Sequence, residues 1–175
     1  MERVRVEVKK ASYLYDKRTG HRDRVIVRRV AGADAEYVRG LSKKVFHQYG
    51  PYEEIVGGWF DSRKTMTILA LMEKRPVGFA MVSQLEREWY SLRVSELLAI
   101  AVEPAKWRSG IGNLLMSEIE RKTKVLGIET LILHTAVENP AGLGLFKKCG
   151  FMKFKIKKKF YPEGQDALMM YKDIG

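Results

Sequence analysis

The spacing of apolar residues along the chain changes in a regular order. Val4, Val6 and Val8 alternate with charges, the two-residue period of a half-exposed strand, and Lys17-Arg18-Thr19-Gly20 reads as a turn. Residues 1–23 are therefore expected to form an N-terminal extension, as a strand, hairpin or arm, ahead of one domain over 24–175. Val25-Ile26-Val27 is a short strand. Ala35, Val38, Leu41 and Val45 recur near helical spacing and predict a helix over Ala33 to Phe46, and Pro51 opens a second short helix that runs to Phe60. Thr65 to Met72 and Val77 to Leu85 are apolar runs split by Glu73-Lys74-Arg75-Pro76, the pattern of a hairpin.

The second half is more regular. Ser95 to Val102 is nearly all apolar, as a strand buried at the centre of a sheet requires. Gly110 to Leu126 carries Ile111, Leu114, Leu115 and Ile119 on one stripe, and Gly127 ends that helix. Thr130 to Ala136 is a strand, and Pro140 to Cys149 a helix closed by Gly150. Phe151 to Phe160 and Ala167 to Tyr171 read as a final strand pair. The order is that of an α/β domain around a mixed sheet, with strand 95–102, helix 110–126 and strand 130–136 as a parallel crossover.

Composition narrows the setting. Length fits one domain with a real core, and 46% apolar residues argue against global disorder. No apolar run is long enough to span a bilayer, which needs about 20 residues, so no membrane partner is expected. Met1 to Lys10 lack the apolar stretch of a secretory signal, and the cytoplasm is the expected location. A lone cysteine, Cys149, cannot form an internal disulfide. The net charge of +11 favours anionic partners, among them phosphates and the ribosome, without specifying one.

The most informative run is Val102-Glu103-Pro104-Ala105-Lys106-Trp107-Arg108-Ser109-Gly110-Ile111-Gly112-Asn113. A strand ends, a glycine-containing loop follows and a helix begins. The first amides of a helix lack intrahelical partners and face an approaching anion, helped by the dipole. Gly110 and Gly112 allow close approach, and Lys106 and Arg108 add charge. A third glycine is missing for a dinucleotide fingerprint, and no Lys-Ser or Lys-Thr pair makes it an NTPase loop. An ordinary strand-to-helix turn has the same local pattern.

Val-x-Pro followed by x-x-Gly-x-Gly before an amphipathic helix resembles the acetyl-CoA motif of the GNAT acetyltransferase superfamily. Asn139-Pro140-Ala141-Gly142-Leu143-Gly144-Leu145-Phe146-Lys147-Lys148-Cys149-Gly150-Phe151 resembles its second signature, an Asn opening a helix that ends in Gly-Phe. The resemblance covers about residues 24–172. It implies the GNAT fold, with a mixed, mostly antiparallel central sheet, and acetyl-CoA as co-substrate with no metal. By the same resemblance, the backbone of Ile100, Ala101 and Val102 would bind the pantetheine arm. Trp107, Arg108, Ser109, Gly110, Ile111, Gly112 and Asn113 would hold the pyrophosphate, and Asn139 the pantetheine amides. Trp107 departs from the usual Arg or Gln, and Gly142 from a frequent Ala. Phe146 stands at a cofactor-contacting position where many members carry a Tyr that protonates the leaving thiolate. Phe has no proton to give, so the acid is unassigned.

Acetylating an amine needs a base, because most amines are protonated at pH 7. Two polar residues interrupt the apolar strands of the crossover. On strand 95–102 the two-residue period puts Glu96, Leu98, Ile100 and Val102 on one face; His134 lies on the neighbouring strand with Ile132 and Ala136. An acid at the Glu96 position is the base in some family members. Leu133-His134-Thr135-x-x-x-Asn139 resembles a motif of one class of protein N-terminal acetyltransferases, with His134 as its catalytic His. Glu96 as base, with His134 assisting or substituting, is the expectation. A structural ion pair and a hydrogen-bonded core histidine are the plainer alternatives. Cys149 reads as a small buried residue, not a nucleophile.

The tail from Lys159 to Met170 resembles the Tyr-Pro…Asp-Ala…Met ending of protein N-terminal acetyltransferases, where the loop covers the peptide. Tyr161 would contact the peptide's first residues, and Tyr49, Tyr52 and Trp59 would form the opposite lip. The acceptor implied is a protein N-terminal α-amine; a small-molecule amine, a protein lysine, a non-catalytic acetyl-CoA sensor and a nucleic-acid-binding module are the alternatives. The basic surface is compatible with work at the ribosome, and monomer or homodimer is left open.

Overall fold

The computed structural model describes residues 11–16, 20–83, 87–89 and 92–175. The expected strand at Val4, Val6 and Val8, turn residues 17–19, and the hairpin's last residue, Leu85, lie outside them. The described chain runs β1 (Ala11–Asp16), β2 (His21–Arg29), α1 (Ala35–Phe46), α2 (Tyr52–Asp61), β3 (Thr65–Met72), β4 (Arg75–Ser83), β5 (Arg87–Trp89), β6 (Leu92–Val102), α3 (Ile111–Val125), β7 (Thr130–Ala136), α4 (Pro140–Lys148), β8 (Met152–Lys157) and β9 (Ala167–Asp173). The sheet order is β1-β2-β3-β4-β6-β7-β9-β8, with β5 attached to β6. All pairs are antiparallel except β6 with β7, so the expected mixed α/β sheet with one parallel crossover is present.

Part of the expected extension is integral to this sheet. β1 pairs with β2 from Ala11↔Ile26 to Asp16↔His21, and β2 pairs onward with β3. The expected split after residue 23 falls inside β2. β3 and β4 are joined by a two-residue turn in which Glu73 and Lys74 both have positive φ, the geometry that matches strand twist. The first strand of the closing pair is shorter than expected: β8 stops at Lys157, and Phe160 and Tyr161 sit in the following loop, where both N–H groups donate to the Gln165 carbonyl.

Both crossover-side helices end alike. In α4 the Phe151 N–H donates to the Phe146 carbonyl and the Gly150 N–H to the Lys147 carbonyl, with Gly150 at φ +86°. This is the two-bond helix terminator that needs a left-handed residue, and its accompanying apolar contact is Phe146 against Phe151, 6.0 Å between centroids. The Gly-Phe signature and the buried Phe146 thus have one local cause. In α3 the same bonds run from Ile128 to Thr123 and from Gly127 to Lys124.

The sheet separates two apolar layers. One, under α3 and α4, includes Ile68, Ala80, Val82, Leu97, Leu115, Ile119, Leu131, Leu133 and Phe146. The other, under α1 and α2, includes Val38, Leu41, Val56, Phe79, Met81, Ala99 and Ala101. Outside the layers, Asp34 accepts from Arg28 at 2.7 and 2.8 Å and from the Ala31 N–H, anchoring the entry to α1 and holding its carboxyl below the usual range.

Candidate active site

Two features of β6 shape the site. First, its parallel pairing with β7 runs only from Val94↔Thr130 to Leu97↔Leu133, so the strands part beyond Leu97. Second, Met81 pairs with Ala99 but Val82 with Leu97, which leaves Leu98 as an extra residue in β6. This bulge resets the alternation. Ile100 and Val102 pack toward α3, with Leu97, whereas Leu98 packs toward α1 and α2. The expectation that Glu96, Leu98, Ile100 and Val102 share one face is therefore corrected: the bulge divides them, and Glu96 lines a cavity with Leu98 and Ile132.

On the α3 side the backbone dominates. The Glu103 N–H donates to the Val77 carbonyl across β4. Since successive residues of an antiparallel strand point their polar groups to opposite edges, Ile100 and Val102 direct theirs into the gap beside β7. Ala101 faces β4, opposite Phe79, so its backbone is turned away from the gap, against the expectation that it binds the pantetheine arm. The Trp107 indole N–H donates to the Val102 carbonyl at 2.8 Å. That side chain, unlike the Arg or Gln implied by the family pattern, ties the loop to the strand end. Arg108 has φ +64° and Gly110 φ +90°, a tight course that delivers the chain to α3. Leu114 is the first α3 amide bonded back, to the Gly110 carbonyl, and no side chain caps this end. The amides of Ile111, Gly112 and Asn113 precede the ladder and suit an anion.

Four more predicted side chains are used internally. The Ser109 hydroxyl donates to the Lys106 carbonyl at 2.6 Å. The Asn113 carbonyl oxygen lies 3.6 Å from the Cys149 sulfur, and burial pushes that thiol up, away from a reactive thiolate. Phe146 is buried in the core. Asn139 caps α4, accepting from the Gly142 N–H at 2.9 Å, while its amide donates to Thr135 at 3.3 Å. A Cβ on residue 142 would meet that amide nitrogen at 2.5 Å, so glycine there lets Asn139 lie over the helix start.

On the α1–α2 side the site is built from side chains. Nδ1 of His134 and Oε1 of Glu96 are 2.8 Å apart across the last paired rungs of β6 and β7. If Glu96 is a carboxylate, Nδ1 carries the donated hydrogen and Nε2 is the acceptor in the neutral ring. Nε2 is buried and has no partner among the described residues. Phe160 stacks on the imidazole, 4.6 Å between centroids at 10°. Behind Glu96, its own N–H donates to the Ser83 hydroxyl oxygen at 2.9 Å, and Ser95 donates to the Ser83 carbonyl. Phe160 and Ser83 escaped sequence reasoning. Phe160 was signalled only by adjacency to Tyr161, and Ser83 by nothing local.

Tyr161 meets the early helices as a closed contact. Its ring lies 5.0 Å from Tyr49 and 6.1 Å from Tyr52, buried with Ala136 and Ala167. Pro162 packs on Gly50, and the Gln165 amide donates to the Gln48 carbonyl at 2.7 Å. The β8–β9 loop thus docks on the α1–α2 connection. Burial pushes the Tyr52 phenol up to about 12 and raises Tyr161 also, with neighbouring tyrosines adding to both, so each remains a phenol near neutral pH. Trp59 does not join this lip; it lines a cavity of about 300 Å3 beside Glu96, with Leu98, Ile132, Ser83 and Lys64. A depression of about 390 Å3 near the end of α3, bordered by Glu120, Arg121 and Lys172, holds none of these groups. Among the described residues no cluster of His, Cys, Asp and Glu could hold a metal, and no helix is long and apolar enough to cross a membrane.

Residues 35–151 match the acetyltransferase (GNAT) family. The N-alpha-acetyltransferase of Sulfurisphaera tokodaii is 30% identical over 101 residues, 57% of this chain and 59% of that protein. The ribosomal protein bS18-alanine N-acetyltransferase of Salmonella typhimurium is 32% identical over 77 residues, 42% of this chain and 52% of that one. The chain thus spans little more than half the length of these two curated relatives. The crystal structure of the Escherichia coli ribosomal-protein-S18-alanine N-acetyltransferase covers 86% of this chain and 94% of its own, with TM-score 0.72 and 21% identity. A Salmonella typhimurium protein solved with its cofactor acetyl-CoA covers 86% of this chain and 94% of its own, with TM-score 0.70 and 15% identity.

Proposed function

The chain belongs to the GNAT acetyltransferase family, and from that premise we propose that it moves acetyl from acetyl-CoA to a protein N-terminal α-amine by direct attack. The observation that carries this reading is the Glu96–His134 contact at the point where β6 and β7 part, beside a loop docked by tyrosines.

Acetyl-CoA, when bound, supplies an acetyl thioester. The gap-facing groups of Ile100 and Val102 and the free amides at the start of α3 suit its pantetheine and phosphate portions. One N–H of the Asn139 amide is used by Thr135, and the other is left to donate to the pantetheine amides. Glu96 takes the proton from the incoming ammonium, directly or through one water, which makes the amine nucleophilic. The nitrogen bonds to the acetyl carbon as the carbon–sulfur bond breaks, and CoA leaves as its thiolate, which a reference thiol pKa of about 8.5 allows near neutral pH. His134 holds the carboxylate through Nδ1, and its Nε2, which has no partner among the described residues, is a second acceptor. Phe160 keeps the ring in plane. Association with the ribosome accords with the +11 charge, and action in the cytoplasm on newly made chains is part of the same proposal.

The test is thiol release from acetyl-CoA with peptides carrying free or blocked N-termini. Release only with free N-termini is expected. Release with blocked, lysine-containing peptides or with small amines would move the acceptor to those classes. Binding of acetyl-CoA without release would leave a sensor.

A further inference from the structure

The cavity beside Glu96 is lined by none of the residues expected to hold acetyl-CoA and has its own chemistry. Trp59, Leu98 and Ile132 give it apolar surfaces, drawn from α2, β6 and β7. Its hydroxyls are largely committed. Ser95 donates to the Ser83 carbonyl, Ser83 accepts the Glu96 N–H, and Ser62 both donates to the Trp59 carbonyl and accepts the Lys64 N–H. Two charged side chains line it, the Glu96 carboxylate and the Lys64 ammonium, and Lys64 is exposed at the rim. Among the described residues no carboxylate pairs with Lys64.

We propose that this cavity receives the first side chain of the acceptor and selects one that ends in a carboxylate. The inference rests on the N-terminal reading above and adds the class of residue that follows the amine. An amine delivered to Glu96 brings its own side chain into the same space. About 300 Å3 lies at the small end of ligand cavities and fits one side chain in place of a sugar or a long polyamine. A carboxylate there is repelled by Glu96 unless it lies toward Lys64, where it gains an ion pair at a partly solvated rim. A second cation meets Lys64 as a like charge. The amine and the carboxylate of an Asp- or Glu-initiated peptide therefore match the Glu96 and Lys64 charges.

The experiment compares kcat/KM for peptides identical except for a first residue of Glu, Gln, Asp, Asn or Lys, on the wild type, Lys64→Ala and Lys64→Glu. Thermal midpoints check that the exposed substitutions leave folding intact. Wild type should prefer Glu over Gln and Asp over Asn by about five-fold, chiefly through KM. The preference should vanish in Lys64→Ala and invert in Lys64→Glu, with the Lys-initiated peptide gaining. Equal use of Glu and Gln by the wild type, or a ratio unmoved by Lys64→Glu, overturns the proposal while the N-terminal activity stands. No release with any free N-terminus overturns the N-terminal reading first, and this proposal with it.

Discussion

The two halves of the site are made of different material. The α3 half is a local, backbone structure: twelve consecutive residues, Val102 to Asn113, form a strand end, a turn with Arg108 and Gly110 at positive φ, and a helix start. The α1–α2 half is a long-range, side-chain structure, in which Glu96, His134, Phe160 and Tyr161 join Tyr49 and Tyr52 from the other end of the sequence. A backbone site tolerates side-chain change, whereas a side-chain site fails when one group is lost. Substitutions should therefore separate by half.

The largest effect tests that separation. Glu96→Ala with His134→Ala should lower kcat by about 10²–10⁴-fold, with acetyl-CoA affinity, measured by calorimetry, unchanged. Unchanged turnover would remove both residues from the chemistry. Next, Gln165→Ala deletes the tie between the β8–β9 loop and the Gln48 carbonyl. One lost hydrogen bond of ordinary strength should raise the acceptor KM up to about ten-fold, leaving cofactor affinity alone. Steady-state kinetics with each substrate varied in turn reads this directly; an effect confined to acetyl-CoA would break the comparison.

Trp107→Phe is the converse. It keeps the ring and removes the donor to the Val102 carbonyl, and should weaken acetyl-CoA binding about five-fold without changing the acceptor KM. The smallest effect is a control outside both halves. Asp34→Asn removes a partner of Arg28 and should cost about 1 kcal/mol at pH 7. Because Arg28 lowers the Asp34 pKa in the folded state, its contribution is present above the unfolded carboxylate value and is lost as pH falls through the folded one. Wild type and Asp34→Asn should therefore converge in chemical-denaturation stability below about pH 4, with both substrate affinities unaffected at neutral pH.

The same contrast governs what the sequence made legible. The loop before α3 could be read because its physics is contiguous: a strand end, glycines and a helix start lie side by side. The Glu96–His134 pairing was also within reach, since a parallel crossover puts its two strands together. The faces of β6 were not, because Leu98 is as apolar as its neighbours and nothing in Leu97-Leu98-Ala99 marks which residue is extra. Likewise Phe160 looked like the end of a strand, and only the turn at Lys159, φ +49°, shows that it leaves the ladder and covers His134. The cavity draws on α2, β3, β4, β6 and β7, a meeting no local pattern encodes.

The bulge at Leu98 has a consequence for how such a protein can change over generations. Because one extra residue turns the strand over, the wall proposed to meet the acceptor and the edge proposed to meet the donor share a backbone but no side chain. Mutations around Trp59, Lys64 and Leu98 can drift and be sorted by selection without renegotiating the donor. A lineage built this way can try new acceptors while its inherited acetyl source stays constant.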